Sequence, residues 1–123
     1  MSTPVKIKPD SVRMLSNPEA LAHLKKYVEK TRETTGTVPL LVSRVLEYLS
    51  KFSKIPIEKA EELREKLLLK GFKEETVVLI MNTCPRSVDE LRALMEFEDK
   101  VYETSILEDV LNTLSEYCSS EKE

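Results

Sequence analysis

From Leu21 onward, apolar residues recur every three or four positions, the repeat that lines one face of an α-helix. Ser16 and Glu19 stand at capping-box spacing, so a first helix is predicted from about Asn17 to Arg32. Its apolar residues Leu21, Leu24, Tyr27 and Val28 form a narrow stripe beside Lys25, Lys26, Glu29 and Lys30. Thr34 to Thr37, around Gly36, reads as a loop, and Pro39 begins a second helix. There Leu40, Leu41, Val45, Leu46, Tyr48, Leu49 and Phe52 make a broad apolar surface that has to be covered.

A third helix opens at Pro56 with Ala60, Leu63, Leu67 and Lys70 on one face, while Glu58, Glu61, Glu62, Arg64, Glu65 and Lys66 fall largely outside it. Glu62 and Lys66 attract at four-residue spacing, and Gly71 suits a left-handed cap. The fourth helix, about Lys73 to Thr83, is apolar nearly all round at Thr76 to Met81, as expected at the centre of a bundle. Its β-branched residues also suit a buried strand, but no second strand-like run within the domain would pair with it. Cys84-Pro85 ends this helix, because proline disfavours helical geometry in the residue before it. Ser87 with Glu90 starts a fifth helix to about Met95, and Ser105 with Glu108 a sixth carrying Leu107, Val110, Leu111, Leu114 and Cys118.

Residues 1–15 differ. They contain Pro4 and Pro9, lack helical periodicity and alternate at Val5 and Ile7, then at Val12, Met14 or Leu15. An arm of this kind either stays mobile or adds as a strand to another chain's sheet, since it cannot satisfy its own backbone groups.

Composition supports one helical domain. The 123 residues include only 2 Gly and 6 Pro, few turn formers for an all-β fold, and the 41% hydrophobic content is enough for a core. A net charge of −3 argues against a general polyanion binder, yet the chain is polarised. Residues 1–70 hold 14 basic against 9 acidic side chains, whereas residues 71–123 hold 5 against 13. The longest apolar stretch, Val77 to Met81, falls far short of the roughly 20 residues of a membrane span. Cys84 and Cys118 have no metal-ligand spacing and no signal-peptide pattern precedes them, so a soluble, intracellular, cytoplasmic chain with reduced thiols is expected, a disulfide between the two being the alternative reading.

Three stretches carry a family resemblance: Leu49-Ser50-Lys51-Phe52-Ser53, Leu67-Leu68-Leu69-Lys70 and, most specifically, Met81-Asn82-Thr83-Cys84-Pro85-Arg86-Ser87-Val88-Asp89-Glu90-Leu91. With Leu15-Ser16-Asn17-Pro18-Glu19 at the first helix start, the chain from Val12 to Tyr117 resembles the small stalk subunit of archaeal DNA-directed RNA polymerase. That family is the counterpart of the fourth subunit of eukaryotic RNA polymerase II. The lack of a long acidic insertion and the abundance of Lys and Glu resemble the archaeal versions. The resemblance implies an all-α, HRDC-like helical bundle preceded by an extended arm that adds a strand to a partner sheet. It also implies a heterodimer with the larger stalk subunit, which joins the core polymerase near the RNA exit path and supports initiation, processivity and termination.

On that reading residues 1–38 are the arm and clasping helix, residues 39–118 the helical domain and residues 119–123 a frayed tail. The expected partner contacts are Val5, Ile7, Val12, Met14, Leu15, Leu21, Leu24, Tyr27 and Val28. Lys25, Lys26 and Lys30, with Arg32, Arg44, Lys51 and Lys54 nearby, are candidates for a weak, salt-sensitive contact with nascent RNA, although no aromatic platform is expected beside them. The bland reading of these lysines is a solvated helix face. A free-standing nucleic-acid-binding domain of HRDC-like type is the alternative, opposed by the acidic C-terminal half.

No enzyme, metal or cofactor site is expected. Asp89 and Glu90 are adjacent carboxylates, but neighbours on a helix point about 100° apart and serve better as helix-start charges. Cys84 at a helix start could form a thiolate, yet the single histidine, His23, is remote in sequence. Gly36 and Gly71 are isolated and form no phosphate-binding loop.

Overall fold

The computed structural model describes residues 13–118. They form α1 (Asn17–Thr35), α2 (Leu40–Phe52), α3 (Ile57–Leu69), α4 (Glu74–Thr83), α5 (Val88–Arg92), a 3₁₀ turn at Met95–Phe97 and α6 (Thr104–Ser115). The all-α class expected from the periodicity is the class observed, with no strand among the described residues. The arm residues Val5, Ile7 and Val12, and the tail at 119–123, lie outside the described residues.

Local chemistry sets the boundaries. The Ser16–Glu19 box starts α1, with Glu19 Oε1 accepting the Ser16 N–H at 2.9 Å. That helix runs on to Thr35, past the expected end at Arg32, with the Thr34 and Thr35 hydroxyls bonding back to the carbonyls of Lys30 and Thr31 in its last turn. Gly36, at φ 81°, closes it with its N–H on the Arg32 carbonyl. Ser87 Oγ accepts the Glu90 N–H at 3.1 Å, but Glu90 turns to the Arg86 N–H, so this box is only half formed. The expected Ser105–Glu108 box is absent: α6 begins two residues earlier than that box would start it, behind Glu103, without a side-chain cap. The fifth helix is also shorter than expected, giving way to the 3₁₀ turn after Arg92.

The core belongs to α3–α6. Leu63 and Leu67 of α3, Val77, Ile80 and Met81 of α4, Leu91 of α5 and Leu107, Val110 and Leu114 of α6 are buried together, joined by Ile55, Phe72, Tyr102 and Tyr117. As its all-round apolar pattern predicts, α4 is at the centre. Around it, α1 packs on α3 and α4, while α2 packs chiefly on α1.

One expectation is corrected here. Cys84 and Cys118 are joined in a disulfide, with Cα atoms 6.2 Å apart, rather than standing as reduced thiols. Their separation of 34 residues conceals the contact in sequence: Cys118, just past the end of α6, meets Cys84 at the C-terminal cap of α4. Cys84 itself takes a left-handed conformation at φ 51°, which stops α4 in front of Pro85.

Candidate partner interface

The root of the arm is tied down by charge. Arg64, placed outside the apolar face by its residue type, is 4% exposed and lies beneath residues 13–19. Its guanidinium donates to the Met14 carbonyl and Glu19 Oε1, each at 2.9 Å, and to Glu74 Oε2 at 2.6 Å. Glu74 in turn accepts the Met14 N–H at 3.2 Å, so one ion pair satisfies both backbone groups of Met14, much as a neighbouring strand would. Arg13 bridges Glu19 at 3.1 Å and Glu61 at 3.0 Å, and its hydrogen bond holds the Glu61 carboxyl below the ordinary carboxylate range. Asn82 Oδ1 accepts the Asn17 N–H at 2.6 Å. The Leu15-to-Glu19 and Met81-to-Glu90 sequence elements therefore meet: Asn82 from the second satisfies a backbone donor at the helix start in the first.

Beyond this root, the surface is unevenly covered. Met14, Leu15 and Tyr27 are exposed and Leu24 is half-buried. Leu21 and Val28 are only 6% and 4% exposed in the chain by itself, which leaves little of them to offer a partner, because they face its own helices. The larger apolar surface is on α2. Val42, Leu46 and Leu49 are at least partly covered, but Leu41 is 73% exposed, Tyr48 57%, Phe52 46% and Val45 41%. The sequence shows that this surface has to be covered; among the described residues five of its seven side chains, with Leu40 at 68%, are left exposed.

Lys25, Lys26 and Lys30 all point to solvent, and none pairs with a carboxylate among the described residues. On the helical wheel Glu29 and Glu33 fall between Lys25 and Lys30, so the face is mixed rather than basic. Lys54 is used internally, donating to the Thr83 carbonyl at 3.3 Å. Cys84 is held in the disulfide, His23, Asp89 and Glu90 are exposed, and no grouping of three or more His, Cys, Asp or Glu is set to hold a metal among the described residues. No described helix is long and apolar enough to cross a membrane.

A second polar cluster, which the sequence pattern leaves as loop, braces the start of α4. Glu98 accepts from the Lys73 N–H at 2.9 Å, from Tyr102 Oη at 3.1 Å and from the Thr76 hydroxyl. Burial pushes the Glu98 carboxyl up, but these hydrogen bonds outweigh it and hold the group below its ordinary value.

The architecture defines a small all-helical bundle with an anchored arm root and an open apolar flank. Comparison places that architecture among transcription proteins: the family described as RNA polymerase Rpb4 matches residues 14–118, and the chain belongs to it. Over 49 residues the chain is 43% identical to DNA-directed RNA polymerase subunit Rpo4 of Methanocaldococcus jannaschii. That match takes in 40% of this chain and 43% of the relative, so it spans less than half the length of either. The family is the one read from the Asn82-to-Glu90 element and the helix start at Leu15-Ser16.

Proposed function

We propose that this chain is a stalk subunit of a DNA-dependent RNA polymerase, without an active site of its own, that works by clasping the larger stalk subunit as a heterodimer. The observation that carries this reading is the conjunction of the family match over residues 14–118 with the uncovered apolar flank of α2. The arm, through Val5, Ile7, Val12, Met14 and Leu15, adds a strand to the partner's sheet. Leu24, Tyr27 and the open part of α2 bury apolar area against the same partner, with Leu21 and Val28 supporting them from beneath. Holding Met14 between Arg64 and Glu74 reduces the ordering that the arm's root must undergo on binding. Residues 39–118 beyond α2 then project from the heterodimer as a docking surface, and attachment to the core enzyme runs through the partner.

In that position, near the RNA exit path, the subunit supports initiation, processivity and termination in the cytoplasm. Lys25, Lys26 and Lys30 make at most a weak, salt-sensitive contact with transcript, given the interleaved glutamates.

Co-expression with the larger stalk subunit of the same source tests the reading by light scattering and thermal melting. A one-to-one complex with a raised melting temperature is expected, and proline at Val5 and Ile7 should weaken it while leaving the helical signal intact. A chain that stays monomeric beside that subunit overturns the assignment.

A further inference from the structure

The open stripe on α2 is more specific in its spacing than in its hydrophobicity. Leu41, Val45, Tyr48 and Phe52 follow one another by four, three and four residues, the alternation of the two inward positions of a coiled-coil heptad. All four are exposed, and they run along about 16 Å of helix at 1.5 Å per residue. Taken as seam positions, they place Val42 and Leu49 on one flank and Arg44 and Lys51 on the other. The first flank is already in use, since Leu49 is buried, Val42 is partly covered and α2 packs on α1. The second is exposed: Arg44 and Lys51 stand seven residues apart at the seam's edge, Lys51 over the Phe52 ring at 5.6 Å and exposed Glu47 one position further out, and neither cation is within salt-bridge distance of a carboxylate among the described residues.

We propose that α2 is one half of an intermolecular helix pair whose other half is an acidic amphipathic helix of a partner protein. That helix carries aliphatic residues at the matching seam positions and Asp or Glu, seven apart, against Arg44 and Lys51. The proposal deepens the association reading above and rests on it for the existence of a partner. A second copy of this chain fits poorly. In an antiparallel pair the Arg44–Lys51 flank meets the same flank of the other copy, and in a parallel pair it meets the flank covered by α1. An extended strand gains nothing here, because the backbone groups along α2 are spent within the helix. Single-stranded RNA is a weaker candidate as well. The Tyr48 and Phe52 rings tilt by 42° with centroids 4.7 Å apart, leaving no gap for a base between them, and Leu41 and Val45 offer no stacking face.

The probe is a fluorescein-labelled, helix-stabilised peptide of three heptads with Leu at its seam and Glu at its flanks, titrated by anisotropy into the full chain. The expected result is micromolar binding, at least tenfold weaker for the same peptide with Lys flanks and for the Val45→Glu protein. Arg44→Glu with Lys51→Glu should invert the preference toward the Lys peptide, and circular dichroism verifies that both variants keep their helix. Equal affinity for the two peptides, indifference to Val45→Glu, or a ten-nucleotide single-stranded RNA outcompeting the acidic peptide would overturn the proposal. If the acidic peptide binds but the larger member of the stalk does not, the stalk assignment falls and the helix seam stands. The reverse pair of results removes the seam alone.

Discussion

The α3–α6 bundle and the α1–α2 hairpin use similar side chains to opposite ends. In the bundle, Val77, Ile80 and Met81 of α4 are wholly enclosed by their own chain. On the hairpin, α2 carries an equally apolar surface and leaves Leu41, Val45, Tyr48 and Phe52 in the open. Hydrophobic burial is indifferent to whether the cover comes from the same molecule. The contrast therefore separates what the fold needs for itself from what it holds out to others, and exposed apolar side chains aligned along one helix are the mark of the second.

Holding the two regions together is the buried Arg64, and its loss is the largest effect expected. Arg64→Ala leaves Glu19, itself 4% exposed, with only the half-exposed Arg13 as a charge partner and frees the Met14 carbonyl, so about 2–3 kcal/mol of stability should go in urea denaturation, less than for a buried charge left wholly unpaired. Replacing the charges together, as Arg64→Met with Glu19→Gln, should recover a substantial part of that. A single Arg64→Ala variant within about 0.5 kcal/mol of the parent would mean that the pair contributes nothing to joining hairpin and bundle.

Arg64 also shows where the sequence stops being legible. Four residues after Ala60 and three before Leu67, it sits on the edge of the buried stripe of α3, but its charge assigns it to solvent until its acidic partners are seen to arrive from α1 and α4. The elements that periodicity defines, above all α4, are placed well by sequence, because their burial depends on their own spacing. The cap at Ser16 and the left-handed Gly71, at φ 100°, are likewise local events and could be read in advance. The disulfide, the Glu98 cluster and the open half of α2 depend on what lies across the fold, or outside it, and spacing along the chain carries no record of that.

The Glu98 cluster belongs wholly to the bundle, and it sharpens the comparison through pH. Its carboxyl is held below the ordinary value of 4.5, so the stability it contributes is present above about that pH and is lost as the pH falls through the lowered folded value. Glu98→Gln should cost about 1–2 kcal/mol at neutral pH, as expected for hydrogen bonds to a charged acceptor. The gap between parent and variant should close on acidification to pH 3 in urea titrations. A gap that stays constant would assign the cost to packing rather than charge.

The smallest expected change in stability is the one that tests the contrast most directly. Val45→Ala on α2 and Val77→Ala in α4 remove the same atoms from two helices of the same chain, so any difference between them measures surroundings alone. At Val77, wholly buried in the bundle core, the truncation opens a cavity. At Val45, 41% exposed, the lost contact is mostly with solvent and alanine is the better helix former, so the isolated chain should change by no more than about 0.5 kcal/mol. The same Val45→Ala should weaken association with a partner seated on α2, because that contact buries the valine only once the complex forms. If instead Val45→Ala destabilises the free chain as much as Val77→Ala does, the stripe is already covered in solution, and α2 belongs to the core rather than to an interface.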